Sequence, residues 1–179
     1  MPWRSCSARA SRRCRGASWL DIDDTLGRVH GGQQLSLFNA HGDSHCFLPI
    51  HIYEAATGKR VAVILRPGKT PDGTEVALVL RHVVRAIRLR WSRVEIVVRG
   101  DSHYARPETM AWLERNYVGY NFGLAGNRVL LDRVADLVEY LAVRRAEEGT
   151  EKVRRFRDLS YAARSWKVER RVIARVEAT

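Results

Sequence analysis

Residues 94–104 read VEIVVRGDSHY, and the fold turns on what this stretch is. As an adhesion motif, Arg99-Gly100-Asp101 would need an exposed loop. The residues before it, Val94, Ile96, Val97 and Val98, instead form the short continuous apolar run of a strand buried on both faces, as in a parallel sheet covered by helices. Asp101 then sits just past the carboxyl end of that strand. Ligands of open α/β sheets bind in the crevice outside the carboxyl ends of the strands, so Asp101 is a candidate catalytic or metal-binding group.

Outward from this strand the chain alternates element types. Residues 19–25, WLDIDDT, set Leu20 and Ile22 against Asp21 and Asp23 with the period of a half-buried strand, which puts Asp24 on the opposite face from Asp23. A loop rich in Gly, His and Gln follows. FLPIHIY (47–53) and VAVIL (61–65) then flank EAATGK, as two antiparallel strands joined by a glycine-containing turn would. Over 74–91 the pattern becomes helical: Val76, Leu80, Val83 and Ile87 share one stripe, and Arg81, Arg85 and Arg88 another, with Thr74 the predicted N-cap. Beyond the strand at 94–98, Pro107 opens a helix that runs through Asn116 with Met110 and Leu113 inward, and YNFGLAG (120–126) is a further strand, completing a right-handed parallel βαβ unit. One long helix is expected over 129–147, then two strand-like stretches at 152–161 and 166–178, with Trp91 and Trp166 in the core.

The 179 residues, 45% of them hydrophobic, suit one domain of ordinary size or one domain plus part of another. Thirty-one Lys and Arg against 20 Asp and Glu give a net charge of +11, which favours a polyanionic partner, duplex DNA first. Apolar runs fall far short of the ~20 residues that span a bilayer, so no membrane is expected. Cys6, Cys14 and Cys46 are odd in number and form no Cys-x-x-Cys pair, which argues for a reducing cytosol and against a disulfide framework. Residues 1–18 are basic and read as a disordered arm, a transit peptide or the product of an altered gene start. RPGKT (66–70) lacks the first glycine of a phosphate-binding loop, where Val63 stands, and Pro71 interrupts the helix start. His41, Asp43, His45 and Cys46 match no standard zinc spacing.

The element order is that of an α/β, ribonuclease-H-like mixed sheet flanked by helices. Its first and fourth strands are neighbours, which brings Asp23 and Asp101 together. Two carboxylates so placed can share Mg²⁺ or Mn²⁺; the plainer alternative is that Asp101 caps a turn and Asp23 is merely exposed.

LDIDDT (20–25), VHGGQQLSLFNAH (29–41), ILRPGK (64–69), IVVRGDSHY (96–104), YNFGLAGN (120–127) and the C-terminal VRRFRDLSY and SWKVERRVIARVE together resemble bacterial insertion-sequence transposases of the DDE class. The resemblance runs from about Leu20 to the last residue. It implies that Asp23, in an Asp-x-Thr motif, is the first catalytic carboxylate and Asp101 the second, both holding Mg²⁺ or Mn²⁺, with Asp21 a stronger local rival than Asp24. Such transposases carry a third acid, a Glu, on a helix after a β-rich insertion. This chain is expected to end within that insertion, as a basic arm (1–18), a partial core (19–148) and the start of the insertion (149–179). Asp132, Asp136 and Glu139 fall on one predicted helical stripe, which makes Asp136 and Glu139 candidate substitutes for the third acid. Arg81, Arg85, Arg88 and Arg99 are candidate contacts to DNA. The implied activity of the intact enzyme is metal-dependent cutting and joining of DNA at transposon ends in the bacterial cytoplasm, this chain being inactive alone. The alternatives are a DNA-binding remnant that interferes with full-length transposase and a small metal-dependent nuclease. A second copy or the full-length transposase is the expected protein partner.

Overall fold

The alternation of Leu20 and Ile22 with acids forms β1 (Ala17–Asp24), the central strand of a five-stranded sheet. The computed structural model describes residues 17–40 and 42–179; the expectations for Cys6, Cys14, His41 and nearly all of the basic arm lie outside them. The chain divides into two compact units, one ending at Gly123 and the other beginning at Leu124.

In the first unit β5 (Ile50–Glu54) and β6 (Lys59–Ile64) form the expected antiparallel pair, and β5 runs antiparallel to β1. The apolar run at the start of the quoted stretch becomes β7 (Glu95–Gly100), parallel to β1, and β8 (Gly119–Phe122) is parallel to β7. The resulting order, β6-β5-β1-β7-β8, is the ribonuclease-H-like arrangement. Helices α1 (Gly73–Arg90) and α2 (Pro107–Arg115) cover one face. Leu20, Ile22, Ile50, Ile52, Ile96 and Val98 pack there against Val76, Leu80, Val83 and Val84 of α1 and Trp112 and Leu113 of α2.

Several expectations are corrected. The N-cap of α1 is Asp72, whose carboxylate accepts from the Glu75 backbone N–H, and not Thr74, which lies inside the helix. Trp91 is 65% exposed, because it ends α1 beyond the last buried turn. The region between β1 and β5 is more than a loop: β2 (Gly27–Arg28), β3 (Leu37–Asn39) and β4 (Ser44–Phe47) form a small sheet of their own. The RPGK segment anchors it. Arg66, 6% exposed, donates to both oxygens of Glu75 and to the Leu48 and Lys69 carbonyls. A side chain on Gly68 would collide with the Cys46 and Leu37 carbonyls, at 2.6 and 2.8 Å.

The second unit begins with α3 (Arg128–Asp132) and α4 (Ala135–Glu148), where one helix was expected. The break at Arg133 and Val134 is held open from outside: the Arg133 carbonyl accepts from Arg157, and Val134 is buried against Leu141, Val153 and Val176. Strands β9 (Val153–Tyr161) and β10 (Arg170–Ala178) form an antiparallel hairpin on which α4 packs.

Candidate active site

Strand register defines the site. β1 and β7 run parallel with Leu20 opposite Val98, Asp21 opposite Arg99 and Ile22 opposite Gly100. Asp23 is the next residue of β1 and Asp101 the first residue past β7, where it keeps an extended backbone, with φ −72° and ψ 175°. The pleat fixes their face. Leu20 and Ile22 point into the core, so Asp21 and Asp23 point to the sheet face opposite α1 and α2. Asp21 and Arg99 confirm the alternation, meeting there in a bidentate pair with both N···O distances 2.7 Å. Asp23 and Asp101 are both exposed.

Asp24 belongs to the other face. It follows Leu20 and Ile22 in the period of two, and its Oδ1 lies 3.1 Å from Nε2 of His103. That imidazole, helped by charge attraction from His103 and more weakly from Arg66, holds the Asp24 carboxyl below the usual range against the opposing effect of burial. Tyr104, fully buried, feels the charge of all three acids. Burial, followed by the charges of Asp24, Asp23 and Asp101, pushes its phenol well above its ordinary value, so its hydroxyl stays protonated. Across the β1–β5 ladder, His51 is the direct partner of Asp23, and its Nδ1 is buried without a hydrogen-bond partner among the described residues.

The remaining predicted site residues fall on other elements. Asp136 and Glu139 belong to the second unit, and the stripe they were to share with Asp132 is divided by the break before α4. Both oxygens of Asp136 are engaged by Arg157, which keeps its carboxyl below the ordinary range. Arg81, Arg85 and Arg88 lie along α1 on the helical side of the sheet. Arg99 is 54% exposed while paired to Asp21. Asp43 and His45 are exposed and Cys46 is buried and free. Among the described residues, no group of three or more His, Cys, Asp or Glu side chains is arranged to hold a metal.

Asp23 and Asp101 nevertheless suit a divalent ion, because exposed carboxylates are the hard oxygen donors Mg²⁺ and Mn²⁺ prefer. Sequence reasoning missed the Asp21–Arg99 pair and the His103–Asp24 contact. The first had a signal: Asp21 and Arg99 each stand two residues before a candidate acid on strands expected to be parallel neighbours.

The family described as "Transposase DDE domain group 1" matches residues 9–179. Three solved structures are similar at low identity. The integrase catalytic core of HTLV-2 in complex with magnesium, in its dimeric form, aligns at a TM-score of 0.37 and 7% identity over 74% of either chain. Its trimeric form aligns at 0.37 and 8%, over 73% of this chain and 72% of that one. The catalytic domain of the Mos1 mariner transposase aligns at 0.42 and 11%, over 74% of this chain and 61% of that one. A search of curated protein sequences finds no match.

Proposed function

The chain belongs to the DDE transposase domain family, and from that premise we propose that it carries the first two acids of a DNA strand-cutting and strand-joining centre, Asp23 and Asp101. The observation that carries this is the parallel register of β1 and β7, in which Ile22 faces Gly100 and the two acids come next on adjoining strands. When bound, Mg²⁺ or Mn²⁺ there supplies a Lewis acid that activates the attacking oxygen and stabilises the leaving one.

The protein's own residues set the conditions for that ion. Asp23 and Asp101 bind it. Arg99 occupies Asp21, which removes the nearest competing carboxylate from the same face. Asp24 is engaged by His103 on the other side of the strand and is left out of the ion's ligand set. Among the described residues no group of three or more His, Cys, Asp or Glu side chains is arranged to hold a metal, and the chain alone is proposed to be inactive.

Two measurements test this. Titration of Mn²⁺ followed by electron paramagnetic resonance should show binding that Asp23→Asn and Asp101→Asn each weaken at least tenfold and Asp24→Asn leaves nearly unchanged. Equal binding by the wild type and the Asp23→Asn/Asp101→Asn double variant would overturn the paired-acid assignment. Incubation with supercoiled plasmid and Mg²⁺ or Mn²⁺ should give no nicking above an Asp101→Ala control. Nicking that Asp101→Ala abolishes would mean that an acid of this chain completes the site.

A further inference from the structure

The ladder that joins β1 to β7 ends with Ile22 opposite Gly100, one residue short of both acids. Past that pair the two strand ends are joined by a second contact, on the other face from Asp23. Asp24, the last residue of β1, meets His103, in the turn Ser102–Tyr104 that follows Asp101, with Oδ1 and Nε2 3.1 Å apart. Nε2 is buried and has no other polar partner among the described residues. The side chains of Asp24 and His103 are 13% and 26% exposed, so solvent and salt screen the contact little. Each end of it is fastened to one of the acids. The backbone N–H of Asp24 donates to Oδ1 of Asp23 at 2.9 Å. On the other strand the Tyr104 N–H donates to the Asp101 carbonyl at 3.1 Å, and the His103 ring lies against the buried Tyr104 ring with centroids 4.0 Å apart. Direct contacts thus run from Asp23 through Asp24, His103 and Tyr104 to Asp101.

We propose that His103 is a positioning residue for Asp23 and Asp101, acting through Asp24. By holding the Asp24 side chain it fixes the amide that orients the Asp23 carboxylate, and it ties the end of β1 to the turn that follows Asp101. The ladder sets which residues stand opposite each other, and the His103–Asp24 contact limits how far the strand ends part beyond it. Groups that orient a metal ligand by hydrogen bonding are worth about 10–100-fold in metal affinity; His103 acts through one intervening residue, so the low end applies, about tenfold. Asp24→Asn keeps an oxygen that accepts from Nε2, which is why that variant is expected to bind Mn²⁺ nearly as the wild type does.

The inference rests on the reading of Asp23 and Asp101 as the paired acids, and one of its two readouts needs no metal. His103→Phe keeps a ring against Tyr104 and loses the nitrogen; His103→Gln loses the ring and returns an N–H to the place of Nε2. In the full chain, Mn²⁺ titration followed by electron paramagnetic resonance should show affinity about tenfold lower for His103→Phe and close to the wild-type value for His103→Gln. In the metal-free chain, amide hydrogen exchange read by nuclear magnetic resonance should be about tenfold faster at Tyr104 in His103→Phe, restored in His103→Gln, and unchanged at Val98, which lies within the ladder. Wild-type Mn²⁺ affinity in His103→Phe, while the Asp23→Asn/Asp101→Asn double variant loses binding, would overturn the proposal. So would equal acceleration at Val98 and Tyr104, which would make His103 a contributor to overall stability alone, and so would a His103→Gln variant as weak as His103→Phe. If the double variant binds Mn²⁺ as the wild type does, the paired-acid reading fails, and exchange at Tyr104 still decides whether His103 ties the strand ends.

Discussion

Gly100→Ala tests whether the tight approach of β1 and β7 sets the spacing of the two acids. A methyl group on Gly100 would lie 2.8 Å from Cγ2 of Ile22, 3.0 Å from Cδ2 of Tyr104 and 3.1 Å from the Ile22 carbonyl oxygen. Carbon atoms in contact sit about 3.5–4.0 Å apart, so the clash is roughly 0.7 Å. Neither neighbour can retreat: Ile22 is 2% exposed, Tyr104 is fully buried, and Ile22 is the ladder partner of Gly100. Overpacking of this kind costs about 1–3 kcal/mol, and two buried neighbours argue for the upper half. Replacing glycine in a strand returns about 0.5–1 kcal/mol of backbone entropy. The clash wins, with a net loss of about 1.5 kcal/mol, close to a tenfold shift in the folding equilibrium. Relief must come by parting β1 from β7 one residue before Asp23 and Asp101, so Mn²⁺ affinity should fall as well. Urea melts and the Mn²⁺ titration measure the two effects. Stability within 0.5 kcal/mol of the wild type together with unchanged Mn²⁺ affinity would show that the ladder has slack and that Gly100 does not set the spacing.

Two further outcomes follow from particular contacts. Glu75→Ala should cost about 3 kcal/mol in chemical denaturation, the low end of the ~3–5 range for breaking a buried pair, because Arg66 is 6% exposed while the Glu75 end is 39% open to water; a loss below 1 kcal/mol would show that Arg66 finds other acceptors. Asp136, held below its ordinary value chiefly by the Arg157 hydrogen bond, contributes stability that is present above pH ~4 and is lost as pH falls through its depressed folded value. Asp136→Asn should therefore flatten the acid-side loss of helical circular dichroism between pH 5 and pH 2 and leave Mn²⁺ binding unchanged. Parallel acid curves for wild type and variant would refute the first part.

The five-stranded sheet was legible because its strands announce themselves locally: the run at Ile96–Val98 and the alternation at Leu20–Asp23 are patterns of consecutive residues. What escaped depends on residues far apart in the chain. A 3.6-residue stripe through Asp132, Asp136 and Glu139 describes one helix only while no outside group competes for its carbonyls, and the Arg157 side chain, 21 residues beyond Asp136, takes the Arg133 carbonyl and the Asp136 carboxylate together. The choice of Asp72 over Thr74 as cap is similar. Both residue types cap helices, and the decision follows from where Arg66 holds Glu75, three residues after Asp72.

The site shows the same division between local and distant information. Each acid is visible in its own motif, yet neither motif says which residues of the two strands stand opposite each other. That information is held by residues two positions earlier. In a parallel ladder a slip of one residue would turn every side chain of β1 to the other face, burying Asp21 and Asp23 and exposing Leu20 and Ile22. The hydrophobic pattern forbids such a slip but tolerates one of two residues, which keeps the faces and changes the partners. Asp21 and Arg99 exclude that one too, because their bidentate pair forms only when Ile22 stands opposite Gly100. Gly100 reinforces the choice, since it admits the Ile22 side chain and carbonyl so closely that a larger residue in that position would be rejected. The tripeptide Arg99-Gly100-Asp101 therefore works as a unit at the end of the strand: Arg99 fixes the register, Gly100 lets the strands close, and Asp101 follows one position past the Ile22–Gly100 pair.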